Sequence, residues 1–117
     1  MASYKWNVFL ANLDPVIGSE QGKTRPVLVI SEEQINQILP VVNVLPITSR
    51  KASRKIYPNE VLFPQGVGGL SKESIVLCYQ IRTLDKKRLI KKLGMIDSAE
   101  LQQSIIDALF FQLGVTH

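Results

Sequence analysis

The 117-residue sequence predicts an α+β fold that is mainly β with appended helices: a small, strongly bent sheet or barrel with helices packed on it. Three observations predict it. Short apolar runs rich in β-branched residues recur along the chain, separated by Gly, Pro and Ser turn signals. One long C-terminal stretch carries leucine and isoleucine every four residues, with cap signals at both ends. No repeat, low-complexity tract or interdomain linker interrupts the chain, so a single domain over 1–117 is expected.

Residues 7–13 read as the first strand, nearly continuous in apolar side chains. Asp14-Pro15 then opens a loop that runs to Arg25. Its length approaches the ~12–15 residues above which an irregular connection usually has a function of its own. Ser19, Glu20, Gln21, Lys23, Thr24 and Arg25 crowd hydroxyl, carboxylate, amide, ammonium and guanidinium groups into it. That inventory suits a binding site held by a rigid scaffold, and it also suits a solvated hairpin loop. Pro26 pushes Arg25 towards an extended conformation, and residues 27–30 form a short buried strand.

Ser31 and Gln34 have the spacing of a capping box, which predicts a short helix through Ile38, stopped by Pro40. Residues 41–45 are a third strand, and Pro46 before Ile47-Thr48-Ser49 marks an edge or a strand end. Residues 50–58 are a basic loop, 60–63 a short strand, and 64–69, with three glycines, a turn. A central strand over 74–79 runs on into 80–85, and 88–96 hold a last strand. In the C-terminal helix, Asp97 and Glu100 have N-cap and N3 spacing. Leu101, Ile105, Leu109 and Leu113 recur every four residues, Ala108 fills the stripe, and Gly114 stands at the C-cap. Ile106 and Phe110 widen the apolar face enough for a deep core or for a second subunit.

The formal charge is +4. Most cations fall in three segments: Lys23 and Arg25; Arg50, Lys51, Arg54 and Lys55; Arg82, Lys86, Lys87, Arg88, Lys91 and Lys92. If folding gathers them they form a polyanion-binding surface; otherwise they are solvated loops. Cys78 is the only cysteine, which excludes an intramolecular disulfide and a multi-cysteine zinc site. No run approaches the ~20 apolar residues of a membrane span, and the N-terminus lacks a signal peptide's apolar region. A cytoplasmic protein with no membrane partner is expected.

The chemistry narrows by exclusion. A metal nuclease needs clustered carboxylates or histidines, and the acids here are scattered. Glu32 and Glu33 are adjacent, and i,i+1 side chains on a helix do not face one another. The single histidine, His117, excludes a two-histidine ribonuclease mechanism. There is no G-x-S-x-G, no P-loop and no cofactor motif, so neither metal nor cofactor is expected. What remains is arginine, hydroxyls and amides: Arg25, Thr48, Ser49, Ser19, Glu20, Gln21 and Gln80. That set binds a phosphodiester and stabilises developing negative charge. It works best on a substrate that brings its own nucleophile, as RNA does in the ribose 2′-OH.

Five segments, in order, carry a family resemblance: Leu13-Asp14-Pro15; Gly18-Ser19-Glu20-Gln21-Gly22; Thr24-Arg25-Pro26-Val27-Leu28-Val29-Ile30; Leu45-Pro46-Ile47-Thr48-Ser49; and Gln80-Ile81-Arg82-Thr83-Leu84-Asp85-Lys86-Lys87-Arg88-Leu89. Together they resemble the MazF/PemK (Kid) toxins of type II toxin–antitoxin systems. The resemblance implies an SH3-like barrel with appended helices, assembled as a homodimer. It implies a metal-independent, sequence-specific endoribonuclease, an mRNA interferase, that leaves 2′,3′-cyclic phosphate and 5′-OH ends. It implies an antitoxin whose flexible, often acidic tail covers the RNA site. By this resemblance Arg25 and Thr48 are the catalytic residues. Ser19, Glu20, Gln21, Lys23, Ser49, Arg50, Tyr79, Gln80 and Arg82 are the expected contacts to single-stranded RNA.

The sequence departs from the family twice. Lys5-Trp6-Asn7 stands where Arg-Gly-Asp or Arg-Gly-Glu is frequent, and Tyr79 stands where many members carry an acid before the glutamine. Two other classes stay open: a toxin that shares the fold and acts through protein contacts, as gyrase inhibitors do, and, because of Tyr79, an RNA-binding module without cleavage.

Overall fold

The computed structural model describes residues 2–116, so His117 lies outside the described residues. The elements are β1 (Asn7–Asn12), β2 (Thr24–Val29), α1 (Glu33–Ile38), β3 (Val41–Ser49), β4 (Glu60–Phe63), β5 (Ser74–Leu77), β6 (Arg82–Asp85), β7 (Leu89–Met95) and α2 (Ala99–Leu113). The strands form one antiparallel seven-stranded sheet in the order β4-β5-β3-β2-β1-β7, with β6 pairing on β3.

The continuous apolar runs have a direct cause: the sheet is buried on both faces. Val8, Leu28, Leu45 and Ile47 point into one core, which α2 closes with Ile105 and Ala108. Their chain neighbours Phe9, Val27, Val29 and Val44 point into a second core, closed by Leu84 of β6 and by Tyr4 and Leu89. The Tyr4 ring stacks on Phe9 with centroids 5.9 Å apart. Trp6 packs against the first core.

Four local expectations are corrected. Pro46 marks neither an edge nor an end: it is buried inside β3, which has strands on both sides. It falls where β3 changes neighbours, since β6 pairs with residues up to Val44 and β5 begins at Ile47. On that side no ladder bond is asked of its missing N–H. Residues 74–85 are accordingly not one strand. A 3₁₀ turn at Cys78–Gln80 breaks them, so that three steps along β3, from Ile47 to Val44, correspond to six on the other side, from Val76 to Arg82.

Ser31 does not cap α1. Glu32 takes that position, Gln34 does not reach back, and Ser31 Oγ instead donates to Asn36 Oδ1 at 2.5 Å and accepts from Asn43 N. In α2 the cap is Ser98 rather than Asp97: its Oγ accepts from Leu101 N at 3.2 Å. Both residue types cap well, and the one a position later has the geometry. Gly114 closes the helix in the left-handed region, at φ 69°. The apolar stripe of α2 is buried at Ile105 and Ala108, while Leu113 and Phe111 are exposed.

Candidate functional site

Arg25 lies within β2, opposite Ala11 of β1, so its backbone belongs to the sheet and not to the loop before it. β2 also pairs with β3, with Val27 opposite Pro46. The ladder ends at that pair, two residues short of Arg25 on β2 and of Thr48 on β3. Both side chains, with Thr24 and Ser49, line one cleft of about 300 Å³. The Arg25 Nε donates to Gly22 O at 3.0 Å, and among the described residues no partner holds its two terminal amino groups.

The far wall of that cleft is Ser71, Lys72 and Ser74. These residues belong to none of the motifs that the sequence carries. They arrive through the β3–β5 ladder, in which Ser49 faces Ser74, and through Arg50 N bonding Glu73 O at 2.9 Å. A lysine two residues ahead of an apolar strand was the available signal. The strand's partner had to be known before Lys72 could be set beside Thr48.

The other expected contacts fall elsewhere. Glu20, Tyr79, Gln80 and Arg82 line a second cleft with Ile81. Gln80 clasps the long loop: its Oε1 accepts from Gln21 N at 3.1 Å and its Nε2 donates to Ser19 O at 3.0 Å. Arg82 donates to Leu13 O at 3.1 Å, and Arg88 donates to the carbonyls of Asn12 and Asp14. Asp14 Oδ1 accepts from Lys23 N at 2.8 Å, and Glu20 Oε1 accepts from Ile17 N at 2.8 Å. The loop is therefore tied at both ends and in the middle. Gln21 Oε1 is buried without a hydrogen-bond partner among the described residues. Ser19 and Lys23 are exposed and line neither cleft. Arg50 turns to its own loop, donating from Nε to Arg54 O at 2.9 Å and pairing with Glu73 at 3.3 Å.

The basic loop is anchored from below. Glu60, whose side chain is only 1% exposed, takes both terminal amino groups of Arg54, at 2.9 and 2.7 Å, and the amide of Tyr57 at 3.0 Å. The Arg54 hydrogen bond holds the Glu60 carboxyl below its usual range against the opposing effect of burial. Burial, helped by the Glu60 charge, pushes the Cys78 thiol up to about 12, so it is no nucleophile at neutral pH. Among the described residues no three His, Cys, Asp or Glu side chains gather as a cation site requires, and no helix is long and apolar enough to cross a membrane.

A family model described as the PemK-like, MazF-like toxin of type II toxin–antitoxin systems matches residues 4–107. Among solved structures, MazF of Deinococcus radiodurans is 30% identical with a TM-score of 0.80, covering 96% of this chain and 96% of that one. Mycobacterium tuberculosis toxin MazF-mt6 is 25% identical with a TM-score of 0.78, covering 95% of this chain and 99% of that one. The Deinococcus MazE–MazF complex gives 27% identity and a TM-score of 0.74, covering 97% of this chain and 96% of that one.

Proposed function

The chain belongs to the PemK-like, MazF-like toxins of type II toxin–antitoxin systems, and from that premise we propose that it is a metal-independent endoribonuclease acting on single-stranded mRNA. One observation carries the reading. A guanidinium with both terminal amino groups open and a threonine hydroxyl line one cleft from adjacent antiparallel strands. Groups fixed on a sheet are preorganised for charge that develops only in the transition state.

In the reaction the ribose 2′ oxygen bonds to the neighbouring phosphorus and the bond from phosphorus to the 5′ oxygen breaks. The products are a 2′,3′-cyclic phosphate and a 5′-OH. Arg25 binds the non-bridging oxygens and neutralises the pentavalent transition state. It does not take the proton, because a guanidinium with pKa above ~12 is no base at neutral pH. The 2′-OH proton leaves to water, relayed by the Thr48 hydroxyl, and a water proton reaches the departing 5′ oxygen. Lys72, across the cleft, supplies a second cation for the phosphate chain. Ser49 extends the contact on one side. Ser19, Glu20, Gln21, Lys23, Tyr79, Gln80 and Arg82 serve the nucleotides beyond it.

The partners follow from the same premise: a homodimer, and an antitoxin whose acidic tail covers the basic segments, as charge complementarity favours. Arg25→Ala is expected to lower cleavage by on the order of 10²–10³ with unchanged circular dichroism. A single 2′-deoxy substitution at the cleaved nucleotide is expected to block cutting, and EDTA to leave it intact. Cleavage by Arg25→Ala at the wild-type rate, or cutting of the 2′-deoxy site, would overturn the mechanism. An RNA that is bound but left whole by the wild-type protein would favour the binding module.

A further inference from the structure

A third groove, of about 340 Å³, opens beside the basic loop, and of its lining residues only Tyr79 has a role above. Arg54, Tyr57, Pro58, Tyr79 and Phe111 line it over the Glu60 carboxylate. Three of these are aromatic rings in contact with solvent: Tyr57 is 50% exposed, Tyr79 40% and Phe111 63%. Two cations lie over the Tyr57 ring, the Arg54 guanidinium carbon 5.9 Å and Lys55 Nζ 5.6 Å from its centroid. The one acid in the lining, Glu60, is already neutralised by Arg54. Tyr79 is common to this groove and to the cleft of Glu20, Gln80 and Arg82, so the two adjoin at that residue.

We propose that Tyr57 and Tyr79 form a stacking subsite for an unpaired RNA base flanking the cleaved bond, with Lys55 on the adjoining phosphate. The proposal rests on the ribonuclease reading above. Exposed rings beside cations are what single-stranded nucleic acid binds, because every base has a π-face and every linkage a negative charge. Stacking tolerates sequence, so this subsite supplies affinity while the Gln80 cleft supplies discrimination. It also gives Tyr79 a role that a carboxylate at the same position could not fill.

The test uses the full-length protein and a fluorescently labelled RNA carrying one 2′-deoxy residue at the mapped cleavage site, read by anisotropy. Tyr57→Ala and Tyr79→Ala are expected to weaken binding by roughly 5- to 150-fold and, on the same RNA without the 2′-deoxy residue, to raise KM with little change in kcat. Tyr57→Phe and Tyr79→Phe are expected to bind as wild type does, since the ring and not the hydroxyl makes the stack. With wild-type protein, an abasic residue at one flanking position is expected to cost as much as a tyrosine-to-alanine change, and the two effects are not expected to add. This arm needs no variant to fold. If the wild type cuts RNA yet no flanking abasic residue costs affinity, the subsite is overturned and the ribonuclease reading stands. A wild type that neither binds nor cuts RNA overturns both. If Tyr57→Ala and Tyr79→Ala shift the oligomeric state in light scattering without changing affinity per site, the groove belongs to a second copy of the chain and the proposal fails.

Discussion

Glu33 holds the N-terminal segment in place. Burial by itself would raise its carboxyl, yet hydrogen bonds from the amides of Lys5 and Tyr4 and from Gln37 and Asn36 bring it from 4.5 to about 2. A depressed carboxyl stabilises the fold fully above its unfolded value and loses that contribution as pH falls towards the folded one. Glu33→Gln is therefore expected to lower stability at pH 7 by about 1–3 kcal/mol. The gap to wild type in urea unfolding is expected to narrow between pH 4.5 and pH 2. A gap that does not change with pH would show that the charge on Glu33 is not what binds the segment. Residues of this kind were poorly legible in the sequence. Glu33 reads as a helix N-terminal charge until the fold brings Tyr4 and Lys5 against it. Arg25 was more legible, because Pro26 and the apolar run after it fix the local backbone whatever the rest of the chain does.

Among the elements, the apolar strands and α2 were readable because burial on two faces and on one stripe leaves a pattern in the order of residues. The break at Cys78–Gln80 left none: Cys78 is apolar and buried like the strand before it, and the interruption is imposed by the neighbouring β3. The turn at Val67–Gly69 shows the opposite case, where glycines were visible but their reason was not. A Cβ on Gly94 of β7 would stand 2.4 Å from the Gly68 carbonyl carbon, and one on Gly69, at φ 76°, 2.0 Å from Leu93 O. Backbone lies on backbone there, so nothing flexible can give way. Gly94→Ala is expected to destabilise by at least about 1–3 kcal/mol, with faster amide hydrogen exchange along β7 than along β3. Wild-type protection of β7 in that variant would mean the two backbones approach less closely than the geometry requires.

For the molecule as a whole, the cations are held in three different ways. Arg25 and Lys72 share a cleft, Arg82 and Arg88 bind backbone carbonyls of the long loop, and Arg50 and Arg54 are paired with acids. Net charge is thus a poor guide to which positive groups reach a polyanion. Lys72→Ala is expected to raise KM several-fold with a small change in kcat. It is also expected to flatten the dependence of log affinity on log salt by about 0.7 for each phosphate that Lys72 neutralises. An unchanged slope would remove Lys72 from the phosphate path. The order of residues offers the candidate side chains but not their division between two clefts. That division depends on which strands pair, and pairing is a property of the whole sheet.

The Gln80 clasp carries one consequence of its own. Its amide bonds the main chain at Ser19 and Gln21 through one N–H and one lone pair, which leaves a second N–H and a second lone pair to read a base with the loop still clasped. Recognition through Gln80 then needs no opening step, because the loop holds the reading group in place before RNA arrives. The observed rate of RNA association should rise linearly with RNA concentration, and a plateau would show that the clasp has to open first. Fidelity would then rest on a side chain whose orientation is set in advance of the encounter.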